Sequence, residues 1–197
     1  VSTERRSASV ERATAETRIT VRLCLDGEGR SEISTGLGFL DHMLTALARH
    51  GRLDLELSCE GDLEIDDHHT AEDTALALGQ AIDRALGDRR GIRRFAHAYA
   101  PLDEALARVV VDFSGRPSAH VATGFRREMI GEIATENLTH FFVSLAATGR
   151  MTLHVDVLKG DNDHHRAEAA FKALALALRQ AVARDGGDSV PSTKGVL

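Results

Sequence analysis

Two copies of one short motif carry the chemistry of this sequence: His68-His69-Thr70-Ala71-Glu72 and His164-His165-Arg166-Ala167-Glu168. On a helix, residues four apart share a face, so His68 projects with Glu72 and His164 with Glu168. The second histidine of each copy, His69 or His165, points about 100° away. One helical turn therefore offers ligands in two directions, which suits two metal sites better than closing one. Imidazole suits Mn, Fe, Co, Ni, Zn or Cu, and the added carboxylate admits the harder Mn²⁺ and Fe²⁺. His42 and His140 occupy matching places upstream and are the natural additional ligands. A single His pair is usually a surface or capping feature; its duplication, each copy with an upstream His, decides for metal. The spacing differs from that of His-Glu-x-x-His zinc peptidases, whose glutamate lies between the ligands. Asp67 and Asp163 read as helix N-caps. His50, His97, His120 and His154 have no repeat partner and read as structural or exposed.

The elements that must position these residues are themselves duplicated. Leu40-Asp41-His42 matches Leu138-Thr139-His140, and Ala77, Leu78, Ala81 and Ala85 match Ala173, Leu174, Ala177 and Ala181. A weaker match links 16–27 with 104–115, and the offset slips by two residues between the blocks nearest the motifs. Residues 19–25 and 107–113 are β-rich runs, followed by short strands near 30–34 and 118–122. Residues 39–50 and 137–148 carry helical periodicity, with Gly51 and Gly149 as stops. Alternating strands follow at Leu53, Leu55, Leu57 and at Leu153, Val155, Val157. Long Ala/Leu-rich helices close each half, 69–86 and 165–183, and 63–65 reads as an extra strand of the first half. The pattern is β-β-α-β-α twice: an α+β fold of two similar halves, 1–93 and 94–197, each a sheet with helices on one face. Residues 87–101 read as the connection.

The 197 residues, 43% of them hydrophobic, suffice for one core shared by two halves. A net charge of −6 argues against a nucleic-acid-coating surface. Cys24 and Cys59 sit in apolar or alternating runs and read as buried free thiols. No run approaches the roughly 20 apolar residues of a membrane helix, and 1–16 lacks a signal-peptide core. A cytoplasmic protein with no membrane partner is expected.

Several segments together resemble imidazoleglycerol-phosphate dehydratases. They are Arg12-Ala-Thr-Ala-Glu16-Thr17, Gly38-Phe-Leu-Asp-His-Met43, the motif from Asp67 to Asp73, Gly91-Ile-Arg-Arg-Phe95, Ser114-Gly-Arg-Pro117, Asn162-Asp163-His164-His165, Phe171-Lys172-Ala173 and Pro191-Ser-Thr-Lys-Gly195. Ala96 departs from the glycine often found there. The resemblance implies halves that each hold a four-stranded sheet, two Mn²⁺ per active site, and trimers assembled into a 24-subunit shell with sites between subunits. It implies a phosphorylated imidazole substrate that loses water. By carry-over the metal ligands are His42, His68, His69, Glu72, His140, His164, His165 and Glu168, and the sequence does not divide them between two ions. Glu16 is the first choice of general base, ahead of Glu104 and Asp103. Arg94, Arg116, Ser192 and Lys194 would hold phosphate, with Lys172 facing the site. His42, His68 and His164 would border the substrate. Two rivals are a dinuclear phosphate-ester hydrolase, which leans on more carboxylates, and a metal-storage shell, which leaves the arginines and the Ser-Thr-Lys tail unexplained.

Overall fold

The computed structural model describes residues 5–197. In the first half, strands β1 (Ser7–Ala13) and β2 (Thr17–Cys24) form a hairpin. Strand β3 (Ser31–Ser34), helix α1 (Gly38–Gly51), strand β4 (Asp54–Gly61) and helix α2 (His68–Leu86) follow. The second half repeats this with β5 (Phe95–Leu102), β6 (Ala105–Asp112), β7 (Ser118–Ala122), α3 (Thr135–Thr148), β10 (Thr152–Lys159) and α4 (Asp163–Ala181). A small hairpin, β8 (Met129–Ile130) with β9 (Ile133–Ala134), is inserted before α3, so His140 lies farther along the chain from His42 than Glu104 does from Glu16. The sheets have the same order, β1-β2-β4-β3 and β5-β6-β10-β7. In each, the helix between β3 and β4, or β7 and β10, crosses over to pair those strands in parallel.

The alternation of β2 and β6 explains the layering. Ile19, Val21 and Leu23 face inward, as do Ala107, Val109 and Val111, while Arg18 and Arg22 point out. Helices α2 and α4 cover these inner faces. Helix α1 packs on α4 and α3 packs on α2, so each helix pair joins the two halves. Both pairs run side by side in the same direction, because the closest neighbours keep sequence order: His42 lies near Glu168 and Gly51 near Ala175; His140 lies near Glu72 and Gly149 near Gly79.

The structure adds and corrects elements. β1 and β5 are strands, giving β-β-β-α-β-α per half; β5 lies in what the sequence presents as a connection. Both are edge strands, and of seven residues in β1 only Val10 is buried, so a hydrophobic pattern is nearly absent. Residues 63–65 form a turn. Gly51 and Gly149 do not occupy the left-handed position that ends a helix: Arg52 and Arg150 do, with φ of 53° and 49°. Close approach of α2 and α3 is permitted instead by Gly79, where a methyl group would stand 2.8 Å from the Gly149 nitrogen, whereas one on Gly51 or Gly149 would crowd Leu53 or Met151 before the partner helix.

Candidate metal centre

Two three-residue clusters of metal-binding type form where paired helix N-termini meet: His68, Glu72 and His140 in one, His42, His164 and Glu168 in the other. Each joins an upstream His of one half to the motif of the other half. Within each, one ligand atom per residue lies within 4.8 Å of every other. Ligands about 2.1 Å from a common ion stand roughly 3–4 Å apart, so small side-chain adjustments suffice. In the first cluster His140 Nε2 lies 3.0 Å and His68 Nε2 3.6 Å from the Glu72 carboxylate, and the two rings stack at 5.4 Å. In the second, Glu168 Oε2 lies 3.2 Å from His42 Nε2 and 3.3 Å from His164 Nε2.

The supporting residues differ between the clusters. His68 Nδ1 donates to Asn137 Oδ1 at 2.9 Å, which fixes the ring and leaves Nε2 as the lone-pair donor. The matching position beside His164 holds Phe39, whose ring meets the imidazole edge-on at 5.0 Å. Lys172 Nζ sits 2.6 Å from Glu168 Oε1, where the first half has Leu76. Burial works to raise the Glu168 pKa, but Lys172 and His42 outweigh it and hold the carboxyl below its ordinary value.

His69 and His165 lie off both clusters. His69 Nδ1 donates to Asp62 at 3.0 Å, and His165 Nδ1 donates to Glu104 at 2.7 Å. Each carboxylate raises its imidazole's pKa. Both rings keep Nε2 on the side away from the anchor. The two turn glutamates behave differently. Glu104 also accepts from the backbone N–H of Asn162 and Asp161, at 2.9 and 3.1 Å. The Asn162 N–H first, then His165, hold its pKa at about 2. Glu16 reaches His69 Nε2 at 3.6 Å, and half of its side chain is exposed.

Asp67 and Asp163 do not cap their helices through their side chains. Asp66 accepts from His68 N–H, and Asn162 from His164 N–H, so each cap sits one residue earlier. Asp67 instead accepts from Ala134 N–H at 2.8 Å, tying the start of α2 to the start of α3. Asp163 accepts from Arg126 and Arg127 N–H. Asn137, Phe39 and Asp62 are supports that the repeat alone did not mark, because each differs in type from its counterpart.

The phosphate candidates gather at a separate corner. Arg94 donates from Nε and Nη2 to Asp112 and from Nη1 to the Pro191 carbonyl at 2.9 Å. Ser192 Oγ accepts from Lys194 N–H, and the chain end at Leu197 lies against Gly115, beside exposed Arg116. Lys172 alone of this group is at a His/Glu cluster. A depression of about 740 Å³ lies elsewhere, on the outer face of the first sheet. Its Arg22 and Arg30 are paired with Glu56 and Asp54, and it holds no His. Among the described residues no helix is long and apolar enough to cross a membrane. His120 and His154 stack at 4.7 Å on the exposed face of the second sheet.

The family described as imidazoleglycerol-phosphate dehydratase matches residues 35–178. The imidazoleglycerol-phosphate dehydratase of Candida glabrata is 55% identical over 96% of this chain and 99% of its own length. That of Phytophthora nicotianae is 60% identical over 98% of this chain, which spans only 42% of that longer protein. The solved enzyme of Pyrococcus furiosus superposes with a TM-score of 0.83 at 39% identity, over 95% of this chain and all of the other. That of Staphylococcus aureus gives 0.81 at 36% identity, over 90% and 99%.

Proposed function

The chain belongs to the imidazoleglycerol-phosphate dehydratase family, and on that premise we propose that it removes water from imidazole glycerol phosphate to give imidazole acetol phosphate, a cytoplasmic step of histidine biosynthesis. The observation that carries this reading is the pair of His/Glu clusters, each assembled from both halves. Their donor set fits two divalent ions, read as Mn²⁺. His68, Glu72 and His140 would hold one, and His42, His164 and Glu168 the other. His69 and His165, anchored at Nδ1, would complete the clusters of neighbouring subunits in a homo-oligomer of trimers built into a 24-subunit shell. When bound, the ions would supply Lewis acidity to the substrate's ring and favour loss of its proton.

The residues of the chain do the rest. His42, His68 and His164 border the ring. The hydroxyl next to the ring departs as water with the proton released from the ring, and Glu16 takes the proton from the carbon that bears the second hydroxyl and later returns it to the ring. The enol left behind rearranges to the ketone. Glu104 is a poor rival: a carboxylate held near pKa 2 has little tendency to take a proton at neutral pH. Lys172 at the cluster of one subunit and Arg116, Ser192 and Lys194 from the corner of a neighbouring subunit would hold the phosphate, Arg116 by a planar fork and the lysines as point charges. Arg94 contributes by seating the tail that carries Ser192 and Lys194.

Turnover by metal-stripped protein given Mn²⁺, with ketone and inorganic phosphate followed together, tests the reading. Mn²⁺-dependent ketone without phosphate supports it. Phosphate release would favour a dinuclear hydrolase, and bound metal without turnover a storage role.

A further inference from the structure

The first half carries a polar clamp that the second half lacks. Asp73 follows Glu72 on α2 and is only 5% exposed. Its Oδ2 accepts from Thr17 Oγ1 at 2.5 Å and its Oδ1 from Arg12 Nη2 at 2.7 Å. Arg12 and Thr17 lie on the two strands that flank the 14–16 turn. At the matching positions of the second half stand Ala100, Ala105 and Ala169, all buried. Packing a hairpin against this helix therefore needs only methyl groups, and the buried carboxylate with its partners calls for another reason.

The reason lies in the turns. Glu104 is fixed by its own carboxylate, which takes three hydrogen bonds. Among the described residues, the Glu16 carboxylate approaches only His69. Its turn is held through the backbone: Glu16 N–H donates to Thr14 Oγ1, and its carbonyl accepts from Asp62 N–H, both at 3.1 Å. Thr17, the next residue, is 4% exposed and anchored to Asp73. His69 and Asp73 are four residues apart on α2, so the ring and the clamp share one helical face. A base must be fixed in place yet keep its oxygens free, and anchoring the residue beside it achieves both.

We propose that Asp73 is a positioning residue of the reaction: through Thr17 and Arg12 it locks the turn so that Glu16 stays fixed beside His69 with its carboxylate uncommitted. This rests on the reading of Glu16 as general base.

Steady-state kinetics of the Mn²⁺-loaded oligomer test it. Thr17→Val keeps the side chain's shape and removes the hydroxyl. It is expected to lower kcat about 10- to 100-fold, with KM and metal content unchanged. Thr17→Ser restores kcat. In a Glu16→Gln background, Thr17→Val causes no further loss of the residual turnover, because the group it positions is gone. Additive losses, or a Thr17→Val defect confined to KM or metal content, would overturn the proposal. Wild-type turnover by Glu16→Gln alone would instead remove the general-base reading, a result distinct from additivity. Should Thr17→Val assemble poorly, Asp73→Asn serves: it keeps the size and loses the charge, and its kcat defect must likewise vanish in Glu16→Gln.

Discussion

His165 Nδ1 donates to Glu104 Oε2 at 2.7 Å, and both partners shift toward their charged forms. The Glu104 contribution to stability is complete above its ordinary value of 4.5 and is lost as pH falls through about 2. The His165 contribution, from a raised pKa, is complete below 6.5 and is lost as pH rises through the raised value. In metal-free protein, the Tm difference between wild type and Glu104→Gln should therefore peak near pH 5 and shrink on both sides. A difference that stays flat from pH 3 to pH 8 would show that the pair does not titrate this way.

Metal loading should proceed in two steps. The Glu168 carboxylate is already neutralised by Lys172, whereas the position that matches Lys172 in the first half holds the uncharged Leu76. A positive charge about 5 Å from a bound cation costs a few kcal/mol at an effective dielectric of about 20, less after solvent screening. Asn137 adds a hydrogen bond that raises the basicity of His68, which Phe39 cannot do for His164. The cluster of His68, Glu72 and His140 is thus expected to bind Mn²⁺ about tenfold or more tightly than the other. Titration of metal-free protein followed by electron paramagnetic resonance should resolve the steps. Lys172→Leu should bring them together and His164→Ala should abolish the weaker one; a gap that survives Lys172→Leu unchanged would refute the charge argument.

The repeat and the two directions of its His and Glu side chains were legible because helix geometry follows from spacing alone. The grouping of those side chains was not. Spacing shows that His68 and Glu72 share a face, but not that α2 packs on α3 and so brings His140, rather than His42, beside them. The caps shifted by one residue because Asp66 and Asn162 compete with Asp67 and Asp163 for the same role, and the latter pair is taken by long-range backbone contacts. The edge strands β1 and β5 escaped notice because little of their surface is buried.

The tail should act on substrate binding without touching the metal clusters. Arg94 seats it through the Pro191 carbonyl, which leaves the exposed Lys194 ammonium available to an anion. Losing one charge-assisted contact removes about 1.5–3 kcal/mol, or roughly 10- to 100-fold. Lys194→Ala is expected to raise KM by about that factor with bound metal unchanged. An unchanged KM would exclude the phosphate role.

Gly79 shows how the helix pairs hold the clusters together. An alanine in the exposed middle of a helix normally gains up to about 1 kcal/mol over glycine. Here a methyl group at position 79 would overlap Thr148 Oγ1 and stand 2.7 Å from the Leu145 carbonyl and 2.8 Å from the Gly149 nitrogen. The hydroxyl could rotate, but it already donates to the Leu76 carbonyl at 2.8 Å, and the two backbone atoms cannot yield without moving α3. Overpacking of this kind costs about 1–3 kcal/mol, which outweighs the propensity gain. Gly79→Ala should therefore lower Tm. It should also weaken the tighter Mn²⁺ step, because His140 rides on α3 while His68 and Glu72 stay on α2. Ala175→Gly, at the matching position of α4, relieves no clash; it loses helix propensity and one buried methyl group and leaves that step untouched. Equal effects of the two substitutions on the tighter step would mean that the spacing of α2 and α3 does not set the geometry of that cluster.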